Sequence, residues 1–370
     1  MRSLEDEAAR AMPSWNVRAY RPGDEAGINE LFNVLFQRTR PLEVWHWKFD
    51  RNPATPEKVI AVGEDDGGKI VGVYAAMPVR FRFGDRTVIA TQPVDNCIAP
   101  EYRGGGRMQV ALYREYVRRM REIGAGFGFG FPNEAHYPVG KRLLKYVDLT
   151  TLMLLDCRLS FRAAVNRRTH SRVMRRAGAA AGECLVRLDL GWCRLGVPRD
   201  IAIGEAGGFD EDFDTLWSRI KGQVPVSPIR DRAYLQWRYA KNPEGGFRIL
   251  RATRGAQLLG YLIGKVREEA GGLRVGYVLD AAGEEDGVYR ALLYRALENF
   301  RAAGADWARC GLLPHRVGGG PFAAVGFGRE VGRMPAVYVI YDETLDPRLF
   351  AEPSEWDLSL GDSDIFTGGT

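Results

Sequence analysis

The sequence predicts an α/β chain made of two similar domains, and three observations lead to that prediction. At 370 residues the chain is longer than one ordinary domain, and 45% of its residues are hydrophobic, enough for two cores. A segment of the first half is repeated in the second half. Residues 92–112 read as a strand, a glycine-rich loop and a helix, which is the order found in α/β units.

The repeat carries the prediction of two domains. Residues 42–53 (LEVWHWKFDRNP) are matched by residues 232–243 (RAYLQWRYAKNP), so that Trp47 and Trp237 stand 190 positions apart. Further on, Gly106 corresponds to Gly287 and Tyr146 to Phe327, both at an offset of 181. A shared offset over such a distance indicates a duplicated unit. We therefore predict domains at 1–159 and 199–345, an Arg-rich connector at 160–198 and a tail at 346–370.

The elements of the first half follow from local patterns. Residues 1–13 are expected to form a frayed arm, and residues 15–20 (WNVRAY) a first strand. Apolar residues at helical spacing from Ile28 to Phe36 predict a helix, and a second helix ends at Asn52-Pro53. Alternating patterns then predict strands at 58–63, 69–78 and 81–91. After the central stretch we expect a helix at 108–123, a Gly/Phe strand at 126–131, a polar loop at 132–138, a helix at 139–146 and a strand at 149–159.

The central stretch, QPVDNCIAPEYRGGGRMQVAL, is suited to binding an anion. Pro100 ends the strand because proline has no N–H to donate. The three glycines of Arg103-Gly104-Gly105-Gly106-Arg107 let several backbone N–H groups turn toward one point. That point lies at the positive end of the following helix. A flexible turn with solvated arginines would give the same pattern, so the surroundings of the loop decide between these readings.

Composition excludes several classes of protein. The net charge of +5 comes almost entirely from arginine, and its densest cluster, residues 158–176, favours a solvated connector over a nucleic-acid contact. The five cysteines are scattered and the four histidines have no metal-ligand spacing, so we expect a reduced, cytoplasmic protein without a metal. An acidic amino terminus and the lack of a long apolar run predict neither a secretory signal nor a membrane span.

The central stretch resembles the acyl-CoA pyrophosphate loop of the GNAT acyltransferases, whose pattern is Arg/Gln-x-x-Gly-x-Gly/Ala. Arg103 and Gly106 match this pattern, whereas Met108 stands where a small residue is usual. The resemblance implies two tandem GNAT-like domains, each a mixed, mostly antiparallel twisted sheet flanked by helices. It also implies a cofactor site for acetyl-CoA in the first domain, with Gly126, Gly128 and Gly130 forming the edge opposite the pantetheine-binding strand. The expected cofactor-binding residues are Cys97, Ile98, Ala99, Arg103, Gly104, Gly105, Gly106, Arg107, Met108 and Asn133.

Acyl transfer to an amine requires a base for the amine and an acid for the departing thiolate. Asp95, on the strand, and Glu134, on the polar loop, are the candidate bases. Many members of the family carry a tyrosine where Lys141 stands here, so Tyr137 or His136 is the substitute acid. Each of these residues also has a structural interpretation: a hydrogen-bonded turn for Asp95, an exposed loop acid for Glu134 and a packed aromatic for Tyr137.

The resemblance therefore predicts an N-acetyltransferase that acts on an amine of a small molecule, as a monomer or homodimer, with no membrane or nucleic-acid partner. In the second half the loop becomes Glu284-Glu285-Asp286-Gly287-Val288, whose acids would repel a pyrophosphate, so one acyl-CoA per chain is expected. Two alternatives remain: a Fem-like aminoacyl or peptidyl transferase, and a non-catalytic acyl-CoA sensor or scaffold. The tail is interpreted either as a strap over a cleft or as a docked or mobile end.

Overall fold

The structure, a computed structural model, describes residues 14–161, 165 and 171–366. The arm predicted at 1–13 and part of the predicted connector lie outside these residues. Within them, thirteen strands form a single sheet flanked by helices. The mixed, mostly antiparallel α/β fold is thus confirmed.

The strands are β1 Trp15–Ala19, β2 Val59–Asp65, β3 Ile70–Phe83, β4 Arg86–Ile98, β5 Phe127–Gly130, β6 Val147–Arg158, β7 Ala202–Ala206, β8 Val226–Pro228, β9 Arg248–Arg254, β10 Gln257–Glu269, β11 Leu273–Gly283, β12 Trp307–Leu312 and β13 Arg329–Ile340. The α-helices are α1 Asp24–Phe36, α2 Leu42–Phe49, α3 Arg107–Glu122, α4 His136–Leu143, α5 Arg172–Leu195, α6 Glu211–Ile220, α7 Arg232–Leu235, α8 Asp286–Ala302, α9 Gly320–Ala324 and α10 Pro347–Ala351. A π-helical turn, Gln236–Ala240, continues α7.

The order of strands across the sheet shows that the two halves exchange their last strands. The order is β1-β2-β3-β4-β5-β13-β6-β12-β11-β10-β9-β7, with β8 paired to β3 outside this path. Strand β13, from the end of the chain, therefore lies beside β5 of the first half, and β6 lies beside β12 of the second half. The domain boundaries remain a prediction, and each half needs a strand from the other to extend its sheet.

The predicted strands of the first half need one correction. Strands expected at 69–78 and 81–91 are instead the long hairpin β3–β4, whose turn lies at Gly84-Asp85. Pro78 does not end β3, because the strand continues through it paired with Thr91. The carbonyl of Pro78 accepts a hydrogen bond from Asn52 Nδ2 at 2.9 Å. Gly84 adopts φ 59°, a left-handed conformation that glycine reaches without strain, so the chain reverses there.

The repeated tryptophans meet at the centre of the molecule. The Trp47 and Trp237 rings stack with centroids 5.2 Å apart and planes inclined by 20°. Each indole N–H donates to the backbone carbonyl of the other tryptophan, at 2.7 and 2.8 Å. Both side chains are buried. The pair is therefore reciprocal, as expected for two copies of one element related by a twofold axis.

The carboxyl-terminal segment packs against both halves. Trp356 is fully buried against the aromatic rings of Phe81, Phe127 and Phe350. Beyond it, Arg238 donates to the carbonyls of Gly361 and Ser363, both at 2.7 Å. The described part of the tail is thus an integral part of the core rather than a loose end.

The reciprocal tryptophans should make a coupled contribution to stability. We expect Trp47→Phe and Trp237→Phe each to lower the free energy of unfolding by about 1–3 kcal/mol, because each leaves a buried carbonyl without its donor. The double variant should lose less than the sum, by at least about 0.5 kcal/mol, because the stacking can be lost only once. Denaturant unfolding of the four proteins measures this coupling, and Trp217→Phe, at a half-buried position on α6, is the control. Strictly additive losses would contradict the reciprocal pairing.

Candidate active site

A cleft opens in the sheet where β4 and β5 separate. These parallel strands pair only at Ala90–Phe127 and Thr91–Gly128, and beyond Thr91 they diverge. The gap leads into a cavity of about 1020 Å³. Gly128 and Gly130 line it as predicted, whereas Gly126 packs against Val88 and lies outside the lining. The separation of the strands exposes the backbone of β4 to whatever occupies the cleft.

The glycine loop follows β4 and leads into α3. Gly105 and Gly106 adopt φ 63° and 67°, both left-handed. Gly106 is the N-cap residue of α3 and no side chain caps this helix end. The first amides of α3 are therefore available to an anion, and Arg103 and Arg107 flank them. This arrangement fits the diphosphate of an acyl-CoA.

The predicted cofactor residues divide into two groups. Cys97, Ile98, Arg103 and Asn133 line the cavity. Arg103 Nε donates to the carbonyl of Ile98 at 2.8 Å, and this bond ties the loop to the strand. The other residues lie beyond the cavity lining, at the end of β4, in the loop and at the start of α3; these are Ala99, Gly104, Gly105, Gly106, Arg107 and Met108.

The side chain of Met108, a predicted cofactor residue, points away from the cavity. It is fully buried between α3 and the sheet. A Cβ at Gly72 would lie 2.7 Å from Met108 Sδ, and one at Gly63 would lie 3.2 Å from it. Glycines on β2 and β3 thus make room for the large residue at the helix start. Only the backbone of Met108 is therefore available to a cofactor, and its predicted part in cofactor binding stays a prediction.

Asp95 is held in a buried ion cluster. Its Oδ2 accepts from Arg40 Nη1 at 2.6 Å and its Oδ1 from Lys48 Nζ at 2.8 Å, and all three side chains are at most 3% exposed. Burial alone would raise the pKa of Asp95, but the opposing charges of Lys48 and Arg40 outweigh it and lower the pKa. A carboxylate with both oxygens bound to cations is a poor proton acceptor. The role of Asp95 as the catalytic base remains a prediction, and its two ion pairs do not favour that role.

The second half contains the same kind of pair, which supports a structural role. Gly72 pairs with Ile98, and Gly260 pairs with Gly283 at the equivalent point of β10–β11. Asp95 and Asp280 lie three residues before Ile98 and Gly283, respectively. Asp280 binds Arg230 Nε at 3.1 Å, just as Asp95 binds Arg40. An arginine–aspartate pair that both halves keep joins the loop before a helix to a strand in each.

Tyr137 and Glu134 lie on the opposite wall of the cleft. Both residues line it, Tyr137 in the first turn of α4 and Glu134 exposed just before it. Tyr137 Oη donates to Asp148 Oδ1 at 2.7 Å, and this hydrogen bond raises the pKa of Tyr137. Asn133 Oδ1 accepts from the amide of His136 at 2.8 Å and so fixes the start of α4. Burial lowers the pKa of His136, which keeps its ring neutral at physiological pH.

The cleft also contains residues that the sequence patterns did not single out. A group of tyrosines lines the α3 side, from β3, from α3, from the loop before β6 and from the loop after β13; these are Tyr74, Tyr113, Tyr146 and Tyr341. Burial raises the pKa of Tyr146 to about 12, so its hydroxyl stays protonated. Lys48, Gln92 and Asp364 lie on other parts of the wall. Their positions depend on contacts between distant segments, and no local spacing could have indicated them.

Comparison with known proteins identifies the first part of the chain. Residues 16–142 match the family described as the acetyltransferase (GNAT) domain. The match covers 127 of the 370 residues. No curated protein matches the sequence.

Solved structures share the fold over most of the chain. A probable N-acyltransferase from Enterococcus faecalis aligns with a TM-score of 0.63 and 13% identity, over 90% of this chain and 73% of its own. A GCN5-related N-acetyltransferase from Kribbella flavida aligns with a TM-score of 0.61 and 13% identity, over 90% and 72%. The N-myristoyltransferase of Saccharomyces cerevisiae, solved with myristoyl-CoA, aligns with 0.58 and 12%, over 89% and 79%. At these identities the likeness concerns the fold.

The GNAT cleft of the first half has only a small counterpart in the second. Strands β11 and β12 stay paired from Val275–Trp307 to Val278–Cys310, so they diverge later than β4 and β5. The space beside them is only about 20 Å³ and is lined by the tail residues Asp357, Leu358 and Ser359. Gly361 continues this contact, since a Cβ there would lie 2.1 Å from Tyr239 Oη and 2.9 Å from the carbonyl of Leu279. The tail thus occupies the second cleft.

Two further observations concern partners and metals. No helix in the described part of the chain is long and apolar enough to cross a bilayer. Within that same part, no three metal-ligating side chains converge.

The ion cluster of Asp95 should contribute to stability at neutral pH. Asp95→Asn leaves Lys48 and Arg40 buried without their counter-charge, so we expect the free energy of unfolding to fall by about 3–5 kcal/mol. Because the pKa of Asp95 is lowered in the folded state, its contribution is present above the ordinary aspartate pKa of about 3.9 and is lost as the pH falls through the folded value.

Denaturant unfolding of the wild type and Asp95→Asn across the acidic range measures both effects. The control is Asp346→Asn, which removes an exposed ion pair with Arg348 while asparagine keeps the helix cap. Its effect on the free energy of unfolding should be much smaller than that of Asp95→Asn, because exposed ion pairs contribute little. Equal losses in the two variants would show that Asp95 is not held by its buried pairs.

Proposed function

We propose that this protein is an acetyl-CoA-dependent N-acetyltransferase that modifies an amine of a small molecule at a single site in its first half. One observation supports this most strongly. The cavity of about 1020 Å³ opens between diverging β4 and β5, beside a glycine loop at the start of α3. These three elements lie within the residues that match the GNAT domain.

The donor would be held mainly by backbone. The loop 103–107 and the start of α3 supply N–H groups for the diphosphate, and Arg103 and Arg107 supply charge. The free edge of β4 at Cys97 and Ile98 supplies hydrogen-bonding groups for the pantetheine amides. When bound, the donor supplies the activated acyl group. The protein's own residues then have to orient the amine, remove its proton and return a proton to the sulfur.

Proton return is assigned to Tyr137 in this proposal. Its hydroxyl lies at the α4 wall, and Asp148 fixes its position through the 2.7 Å hydrogen bond. The raised pKa keeps the hydroxyl protonated at neutral pH, as a proton donor requires. Glu134, exposed at the same wall, is the remaining predicted base that is not bound to buried cations.

The second half would serve as structure and not as a second catalytic unit. Its cleft is occupied by the tail, and its loop carries three acids. Two of these acids are already paired, Glu284 with Arg219 and Glu285 with Arg254. The β13 strand that it donates completes the sheet beside β5, so the second half supports the wall of the first cleft.

We expect one acetyl-CoA to bind per chain. Isothermal titration calorimetry should show a single site in the wild type. Arg103→Glu removes a charge-assisted contact worth roughly 1.5–3 kcal/mol and adds a repulsive charge, so binding should weaken by at least about 10- to 100-fold. The exposed Arg199→Glu in the second half is the control and should bind as the wild type does. Two sites per chain, or unchanged binding by Arg103→Glu, would refute the assignment.

Loss of the Tyr137 hydroxyl should slow transfer without weakening donor binding. Tyr137→Phe keeps the ring but removes the proton donor, so kcat should fall by about 10²-fold or more. Thiol release should be followed with acetyl-, octanoyl- and myristoyl-CoA against a panel of primary amines, which also tests the preference for acetyl. Tyr338→Phe, on the neighbouring β13 wall, is the control. An unchanged kcat would remove Tyr137 from the mechanism, and a wild type that transfers to no amine would favour the scaffold alternative.

A further inference from the structure

The cleft has a second end, formed by α1 and the tail, that differs chemically from the donor end. The tyrosines and the glycine loop lie toward α3 and α4. On the opposite side the lining comes from Phe32, Leu35 and Phe36 of α1 and from Asp364 and Ile365 of the tail. This end is therefore an apolar wall that faces a carboxylate.

Contacts join the apolar wall to the floor of the cleft. The guanidinium of Arg40 lies 3.8 Å from the centre of the Phe32 ring and binds Asp95. Asp95 binds Lys48, whose ammonium acts electrostatically on Asp364. Lys48 thus acts on two carboxylates, those of Asp95 and Asp364, and a ligand ammonium at this end would face the Asp364 carboxylate.

Phe36 marks the mouth of this end. It is 46% exposed although it is large and apolar, and it packs on Phe32 with ring centroids 4.6 Å apart. Ligand pockets are lined mainly by apolar and aromatic side chains, and Phe36 lines this one. Val34, on the same helix, is 68% exposed but does not line the cleft, so exposure alone does not define this wall.

Hydrogen bonds to the two residues before it fix the position of Asp364. Arg230 Nη2 donates to Asp362 Oδ2 at 2.8 Å, and Arg238 donates to the carbonyl of Ser363, the residue before Asp364. Gln92 Nε2 donates to the carbonyl of Asp362 at 2.7 Å. The other polar atom of this buried side chain, Gln92 Oε1, has no hydrogen-bond partner among the residues that the structure describes. A buried acceptor of this kind is satisfied by a donor such as an amine N–H.

We propose that this end binds the acceptor as a primary amine carried on an apolar body, with Asp364 as its counter-charge and proton acceptor. The proposal rests on the proposed acetyltransferase function and adds its substrate class. The ammonium gives one proton to the Asp364 carboxylate. The neutral nitrogen forms its bond to the thioester carbonyl carbon and the carbon–sulfur bond breaks. Tyr137 gives its hydroxyl proton to the departing sulfur and takes up the second amine proton in return.

Asp364 suits this role better than Asp95. Burial is the largest influence on the pKa of both carboxyl groups, but the opposing charges of Lys48 and Arg40 lower the pKa of Asp95, whereas burial raises the pKa of Asp364. The charged groups around Asp364 are Lys48 from α2, Asp95 from β4 and Arg238 from the π-helical turn, and Arg38 lies at the rim. A raised pKa brings the group closer to the proton affinity that a base needs at neutral pH.

Matched amines test the substrate class. The wild type should acetylate phenethylamine with a kcat/KM about 10- to 100-fold higher than ethanolamine, because the phenyl ring is removed from water against α1. Phe36→Ser should reduce that ratio at least about threefold, and the control Val34→Ser should leave it unchanged. If the wild type prefers ethanolamine, or if the two serine variants behave alike, the acceptor class is wrong although the acetyltransferase function stands.

The role of Asp364 has a separate readout. Asp364→Asn should lower kcat by about 10²-fold and remove the acidic limb of the pH–rate profile, while calorimetry shows unchanged acetyl-CoA binding. The tail variant Asp346→Asn should do neither. An unchanged profile in Asp364→Asn would overturn its assignment as proton acceptor. Failure of the wild type to acetylate any amine, with intact acetyl-CoA binding, would instead overturn the proposed function and this inference with it.

Discussion

The contact between Trp47 and Trp237 is the constraint on which the rest of the structure depends. Each ring stacks on the other and donates to the other's backbone, so neither helix can shift without breaking both bonds. The residues that follow the two tryptophans, Lys48 and Arg238, occupy equivalent positions of the repeat. Lys48 reaches the strand of the first half, and Arg238 reaches the tail. Lys48 therefore lines the open cleft of the first half, whereas the equivalent Arg238 binds the tail that occupies the cleft of the second half.

The two halves show how a duplicated fold becomes asymmetric through a few contacts. Both keep the arginine–aspartate pair at the bulged strand, Arg40–Asp95 and Arg230–Asp280. They differ in how far the central parallel strands stay paired and in what fills the gap. In the first half the gap is a cavity, and in the second it takes the chain's own tail. The polypeptide segment that lies in the second cleft makes that part of the molecule core.

Local patterns predicted the elements well and their arrangement poorly. The glycine loop, the amphipathic helix after it and the repeat could be recognised because each depends on neighbouring residues or on a fixed offset. The exchange of β6 and β13 could not, because pairing between residues so distant leaves no local pattern. Asp95 looked like a free carboxylate because Arg40 and Lys48, which bind it, lie on other elements. Met108 looked unsuitable because the glycines that accommodate it, Gly63 and Gly72, are on strands far earlier in the chain.

The exchanged strands also govern when the protein can fold during synthesis. Strand β5 emerges from the ribosome long before β13, its partner on one side, which is among the last strands made. Until then the first half has a sheet edge with unpaired N–H and C=O groups, beside the apolar surfaces that Trp237 and Trp356 later cover. Such an edge can pair with another nascent chain, and contacts this distant in sequence form slowly. The order of this sheet therefore favours pairing of the open β5 edge with another chain at high expression.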